Sequence, residues 1–169
     1  MLEIATQVFA REGYDRASIR QVAERAGISI AGLYYYVSSK EELLFLVQFR
    51  AFHELIQQFQ VASPEHPHPA DRLRLLIRNH LERFLGNMAE LIVCSRELDR
   101  LVGDYRLKVE EKQREYFALA LHLFSELAER QQIRVEPRTA ALAMFGSINW
   151  VYTWYKPETG PAAAPLADD

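Results

Sequence analysis

Helix start and stop signals punctuate the whole chain, and they crowd most densely between residues 13 and 40. Leu2, Ala5, Val8 and Phe9 fall at helical spacing and end at Gly13, a residue that tolerates the left-handed backbone past a helix end. Ser18 followed three residues later by Gln21 reads as a capping box. It opens a helix with Ile19, Val22, Ala23 and Ala26 on one face and a stop at Gly27. Ser29 can cap again, over a short helix from Ile30 to about Tyr36, and Ser38 or Ser39 precedes a long run, "KEELLFLVQFRAFHELIQQFQ". Alternating strand patterns do not recur, so the chain is expected to be all-α.

The remainder repeats the helical signal at greater length. "ASPEHPHPAD" cannot continue a helix because of its prolines, and reads as a surface connection. Beyond it, apolar residues at Leu73, Leu76, Ile77, Leu81, Phe84 and Leu85, with His80 among them, predict a fifth helix interrupted near Gly86. A sixth segment is expected over 88–102, ending at Gly103, and a seventh over 104–131. Pro137 opens an eighth, "RTAALAMFGSINWVYTWY", which Pro157 closes. The Pro, Gly and Ala content of "ETGPAAAPLADD" reads as a tail in which Pro165 and Asp168 start another helix. With 169 residues, 49% hydrophobic, the chain can bury a real core. The net charge of −3 gives no sign of a nucleic-acid or membrane partner. No apolar run approaches the roughly 18 to 20 residues that span a bilayer. The chain opens directly in a helical pattern without a secretory leader, and the lone Cys94 among apolar neighbours fits core packing in a reducing compartment, so the expected location is the cytoplasm.

A helix, a glycine-containing turn and a second short helix form a helix-turn-helix, whose second helix enters the DNA major groove by its N-terminal end. Residues 19–26 and 30–36 would be that pair, with Gly27 permitting the turn, Ile28 plugging the core and Ser29 capping. Ala23 and Gly27 would keep the two helices close. Tyr34, Tyr35 and Tyr36 sharpen the reading, because consecutive helical side chains point about 100° apart and cannot all be buried.

The stretch "FAREGYDRASIRQVAERAGISIAGLYYYVSSKEELL" resembles the DNA-binding domain of the tetracycline-repressor (TetR) family of one-component regulators. The resemblance implies a helix-turn-helix head over 1–43 and a helical effector-binding and dimerisation domain over 44–169. It implies phosphate contacts for Ser18 and Arg20, helped by the start of their helix. Ser29, Ile30, Ala31 and Gly32 would form the leading end of the recognition helix, with Leu33 pointing inward. Tyr34 and Tyr36 would deliver hydroxyls to backbone phosphates, and Tyr35 would be either a third DNA contact or part of the seam to the fourth helix. Lys40 would add a further phosphate contact. Family members often carry lysine, then threonine or serine, where this chain has Ile30 and Gly32, and histidine in place of Tyr36. Ile30 and Ala31 would therefore meet thymine methyl groups, with specificity leaning on apolar fit and DNA shape. Residues 1–43 hold five Lys and Arg against six Asp and Glu, so binding depends on where charges lie rather than on their sum.

Reading successive major grooves about 34 Å apart requires a dimer on double-stranded, palindromic operator DNA. The eighth helix supplies small residues for close approach, Ala140, Ala143 and Ser147, and apolar area in Trp150, Val151 and Trp154. In the family a ninth helix usually completes this interface. Phe84, Phe117, Phe124 and Phe145, with Met88 and Leu121, build either a plain core or a chamber for a small apolar effector oriented by His80 and Asn149. "SRELDRLVGDYRLKVEEKQREY" and "NWVYTWYKPETGP" are similar to members that sense acyl-coenzyme A thioesters in fatty-acid or aromatic-acid degradation. That similarity implies a fatty acyl- or phenylacetyl-coenzyme A effector, its phosphates met by Arg96, Arg100 or Arg106, and relief of repression by population shift. No cofactor or metal is expected: His66 and His68 sit on a proline loop without spaced partners. Phosphate-loop, nucleophile-elbow and paired-carboxylate patterns are missing, so an enzyme is not expected. The alternative is a helical protein-interaction module without DNA binding.

Overall fold

The computed structural model describes residues 1–131 and 136–156. Every element among them is helical: α1 (Leu2–Glu12), α2 (Ile19–Arg25), α3 (Ile30–Tyr34), α4 (Lys40–Ala62), α5 (Pro69–Gly86), α6 (Met88–Arg96), α7 (Gly103–Gln131) and α8 (Pro137–Asn149), with short 3-10 turns after α4, α6 and α8. The stop expected at Pro157 and the further helix start at Pro165 and Asp168 lie outside the described residues.

Local chemistry accounts for most boundaries. Ser18 and Gln21 form the full capping box, the Ser18 hydroxyl accepting from Gln21 N at 3.2 Å and Gln21 Oε1 accepting from Ser18 N at 2.8 Å. Gly27 takes a φ of 67°, and Ile28 N bonds back to Ala23 O at 3.1 Å, which closes α2 with a left-handed cap. A Cβ on Gly27 would meet nothing within 4 Å, so glycine is needed here for its backbone angle and not for close helix packing. Ile28 is 38% exposed and does not plug the core; Leu33, fully buried, does. Glu136 caps α8 by accepting from the backbone of Arg138 and Thr139, with Pro137 at the first helical position.

Two helices end earlier than their apolar pattern. After α6 the chain passes through a 3-10 turn at Leu98–Arg100, and after α8 through another at Trp150–Thr153, where continuous helices were expected to 102 and 156. α3 likewise stops at Tyr34, with Tyr35 as its C-cap.

The described chain divides into two compact units, 1–52 with 88–112 and 53–87 with 113–169. The first gathers α1 to α3, the start of α4, α6 and the start of α7 around Ala5, Val8, Phe9, Val22, Leu33, Leu43, Leu44, Val93 and Leu101. Compactness therefore does not divide at residue 43: α6 packs directly on α1. In the second unit, α5 and α8 are in contact, and the Tyr116 hydroxyl lies 3.5 Å from Leu76 O. Two ion pairs fasten this unit, Arg72 to Glu126 at 2.5 Å and Arg83 to Glu54 at 2.6 Å.

Candidate DNA-binding surface and ligand site

The recognition segment presents itself to solvent. Ser29 caps α3 through its hydroxyl, which accepts from Gly32 N at 2.9 Å. A Cβ at Gly32 would stand 3.1 Å from that oxygen, so a side chain there would crowd the cap. Ser29 and Ala31 are exposed, Ile30 is 43% exposed and Gly32 is partly covered. Leu33 alone turns inward, fully buried. Tyr34, Tyr35 and Tyr36 are 49%, 84% and 67% exposed, the last two meeting edge to face at 5.3 Å. Tyr35 is thus no part of a buried seam with α4. Ser18 and Arg20 are exposed at the start of α2.

Lys40 departs from its expected role. Its ammonium donates to the carbonyls of Tyr14 and Ala17, both at 2.9 Å, and approaches that of Asp15 at 3.5 Å. It also lies 4.3 Å from the centre of the Tyr14 ring. An ammonium has three donors, and here the turn before α2 takes them. Lys40 thus clamps the turn before α2 within the head. Glu41 and Glu42 in the first turn of α4 make that helix start still less suited to an anion. Glu42 accepts from the Ser38 hydroxyl and backbone, which holds its carboxyl below the usual range.

The same turn is gripped from its other side. Gly13 adopts φ 78° and ψ 150°, a conformation essentially reserved for glycine. Glu97 accepts from Tyr14 N at 3.2 Å, and Arg100 pairs with Asp15 at 2.8 Å and with Glu97 at 3.8 Å. Burial, followed by the charges of Glu41 and Asp15, raises the Tyr14 hydroxyl pKa. Arg100 and Arg106, expected to meet effector phosphates, are thus engaged by carboxylates, Arg106 by Asp99 at 3.1 Å and Glu110 at 2.8 Å.

In the second unit the aromatic set converges on one histidine. His80, 2% exposed, meets the Phe84 edge at 4.7 Å, lies parallel to Tyr116 at 6.0 Å and faces Phe145 at 6.1 Å. Phe145 in turn meets Tyr116 at 5.4 Å and Phe117 at 5.9 Å. Neither His80 nitrogen has a hydrogen bond of good geometry. Burial lowers its pKa to about 3, against a weaker opposing pull from the Asn149 side chain, so the ring is neutral. Burial likewise raises the Tyr116 hydroxyl. Leu121 and Phe124 lie further along α7, half-buried. Met88 opens α6, half-buried, in the first unit.

The outer face of α8 is apolar and open. Along α8, Leu142 is 54% exposed and Ala143, Gly146 and Ser147 are exposed, with Ala140 half-buried; in and after the turn that follows, Trp150 and Trp154 are 64% and 54% exposed. Val151 must be removed from this set: it is 1% exposed and packs inside its own chain. Three buried polar residues escaped the sequence reading, Thr6, Gln48 and Glu90. Gln48 is fully buried with no hydrogen-bond partner, and the signal for it was a lone polar residue in the stripe Leu44, Gln48, Ala51, Leu55.

Residues 1–47 match the model of the bacterial regulatory proteins of the tetR family, and residues 66–168 match the tetracyclin repressor-like C-terminal domain. The HTH-type transcriptional repressor KstR2 of Mycobacterium tuberculosis is 24% identical over 167 residues, 97% of this chain and 83% of that protein. Among solved structures, AibR in complex with isovaleryl coenzyme A and operator DNA is 27% identical with a TM-score of 0.85, over 99% of this chain and 91% of that one. PfmR from Thermus thermophilus is 26% identical with a TM-score of 0.88, over 98% and 91%. No described helix is long and apolar enough to cross a membrane. An exposed recognition segment on a capped helix-turn-helix, joined to a helical domain that the second model matches, is the pattern of one family. The chain belongs to the tetR family of bacterial regulatory proteins and is a ligand-responsive, DNA-binding regulator of transcription.

Proposed function

We propose that the protein is a dimeric, non-enzymatic repressor acting in the cytoplasm, bound to a palindromic operator and released by a small acyl-coenzyme A. The observation that carries the ligand half is His80, a neutral imidazole enclosed by aromatic rings with neither nitrogen well bonded. Such a group can orient a neutral oxygen, such as a thioester carbonyl, while Phe84, Phe117 and Phe145 with Leu121 and Phe124 enclose a short or aromatic acyl chain and Asn149 assists. The isovaleryl coenzyme A and operator DNA bound by AibR support the ligand class and the DNA target. The repressor named in KstR2 supports the sign of regulation.

On DNA, the tyrosine hydroxyls and the Ser18–Arg20 end of α2 hold phosphates, while Ser29, Ile30, Ala31 and Gly32 lie against base edges. Two copies pair through Leu142, Ala143, Ser147, Trp150 and Trp154 of α8 and its following turn, with Ala140 at the margin. Effector binding favours a head spacing that no longer fits the two half-sites.

The test is selection of duplexes from a random pool, followed by gel shift with isovaleryl-, phenylacetyl- and palmitoyl-coenzyme A against free coenzyme A. A palindromic winner released by one thioester and not by free coenzyme A is expected. Tyr36→Phe should weaken all sequences alike by about thirtyfold, the worth of roughly one hydrogen bond in each of two copies. Ala31→Gly should change which sequence wins. Release by none of the thioesters sinks the effector assignment, and a change of base preference in Tyr36→Phe sinks the phosphate role.

A further inference from the structure

We propose that the cavity between the connection after α4 and the first half of α5 is a binding site for a phosphate group, held by Arg74, Arg78 and His66 and separate from the aromatic cluster around His80. The cavity has a volume of about 250 Å³ and is lined by His66, Asp71, Arg74, Leu75 and Arg78, all within the second unit. None of the rings around His80 lines it.

Asp71, Arg74 and Arg78 recur at i, i+3 and i+7 and so share one face of α5. His66 comes to the same space from the proline-rich connection, half-buried. Without spaced partners along the chain, this histidine finds them across the cavity. Arginines at i and i+4 repel each other and weaken a helix, a cost that a bound anion reverses. Asp71 is the one carboxylate of the lining. Its Oδ1 accepts from Arg74 Nη1 at 3.1 Å, with the two side chains 44% and 56% exposed, and a pair so open to water holds weakly. A guanidinium has five donors, of which this contact takes one.

The chemistry of the lining selects the ligand. A carboxylate offers two oxygens and one charge. A phosphate monoester offers three oxygens and a charge of about −1.5 to −2, which suits two guanidinium forks and an imidazole nitrogen better. The volume exceeds what a bare phosphate fills and lies just under the roughly 300 Å³ at which ordinary small-molecule sites begin. Room therefore remains for a small carried group, such as a sugar, against Leu75.

The experiment is calorimetric titration of the full chain with ribose 5-phosphate, inorganic phosphate and acetate at about 50 mM salt, where exposed charges are little screened. Ribose 5-phosphate is expected to bind with a dissociation constant below about 1 mM, and acetate not to bind. Arg74→Gln, at an exposed position, should keep the unfolding midpoint and weaken binding at least about tenfold, the worth of one hydrogen bond to a charged group. His66→Asn, in the connection, should weaken it by about fivefold. Tighter binding of ribose 5-phosphate than of inorganic phosphate supports the site with the phosphate carried on a small molecule; equal binding supports it with phosphate free. Acetate binding as tightly as ribose 5-phosphate overturns the proposal, as does a wild-type dissociation constant above about 1 mM. Either variant binding like wild type overturns it too.

Discussion

A neutral imidazole walled in by Phe84, Tyr116 and Phe145 ties the stability of the second unit to pH. In the folded chain the His80 pKa is about 3, whereas an unfolded chain takes up the same proton near 6.5. Between those values the unfolded state binds more protons, so stability is full above 6.5 and is lost as pH falls towards 3. The slope is about 1.4 kcal/mol per pH unit, or roughly 2 to 3 kcal/mol between pH 6.5 and 4.5, before most carboxylates titrate. Urea unfolding of wild type and His80→Gln over that window should give a falling midpoint for the first and a nearly level one for the second. Parallel slopes would mean that His80 has a proton acceptor in the fold after all. The helical spacing of the fifth helix placed His80 on its apolar face, but its lack of a well-formed hydrogen bond follows from rings on α7 and α8 that no local pattern reveals.

At the scale of elements, the start of α4 sets the geometry of the turn before α2. Its lysine was read from the sequence as a phosphate contact, yet the ammonium is taken by carbonyls 23 to 26 residues earlier. Lys40→Met should therefore lower unfolding stability by about 1.5–3 kcal/mol, the range for hydrogen bonds to a charged group, and should weaken operator binding without changing its salt dependence. Arg20→Ala should do the reverse: little loss of stability, and a slope of log affinity against log salt shallower by about 1.8, one phosphate contact from each of two copies. If Lys40→Met flattened the salt slope and left the midpoint unchanged, the clamp would be wrong. Elements themselves were legible where chemistry is local: the Ser18–Gln21 box, Gly27, Ser29 and Pro137 each mark a real boundary. The ends of α3, α6 and α8 were not, because an apolar pattern continues through a 3-10 turn as readily as through an α-helix.

For the whole molecule, the open face of α8 bears on assembly. Trp150 and Trp154 expose more than half of their surface, together with Leu142 and the small Ala143, Gly146 and Ser147 between them. Large aromatic side chains at that exposure suit a desolvated contact between two copies. Trp150→Glu should leave helical content unchanged while converting the dimer to a monomer in sedimentation, making the unfolding midpoint independent of protein concentration and abolishing binding to a palindromic operator. A dimer that persists in Trp150→Glu at micromolar concentration would move the interface elsewhere. Val151 belongs to no such test, since its own chain already covers it.

The sequence by itself determined the helical class, most helix starts and the exposed tyrosines of the recognition segment, because caps, glycine turns and periodicity act over a few residues. Only tertiary structure decided that Lys40 serves the head's own turn, that Val151 is core while Trp150 is surface, and that Gln48 and His80 are buried without well-formed hydrogen bonds. Each of these depends on which distant groups fill the space around a side chain. That is settled by packing between helices far apart in the chain, and no run of neighbouring residues encodes it.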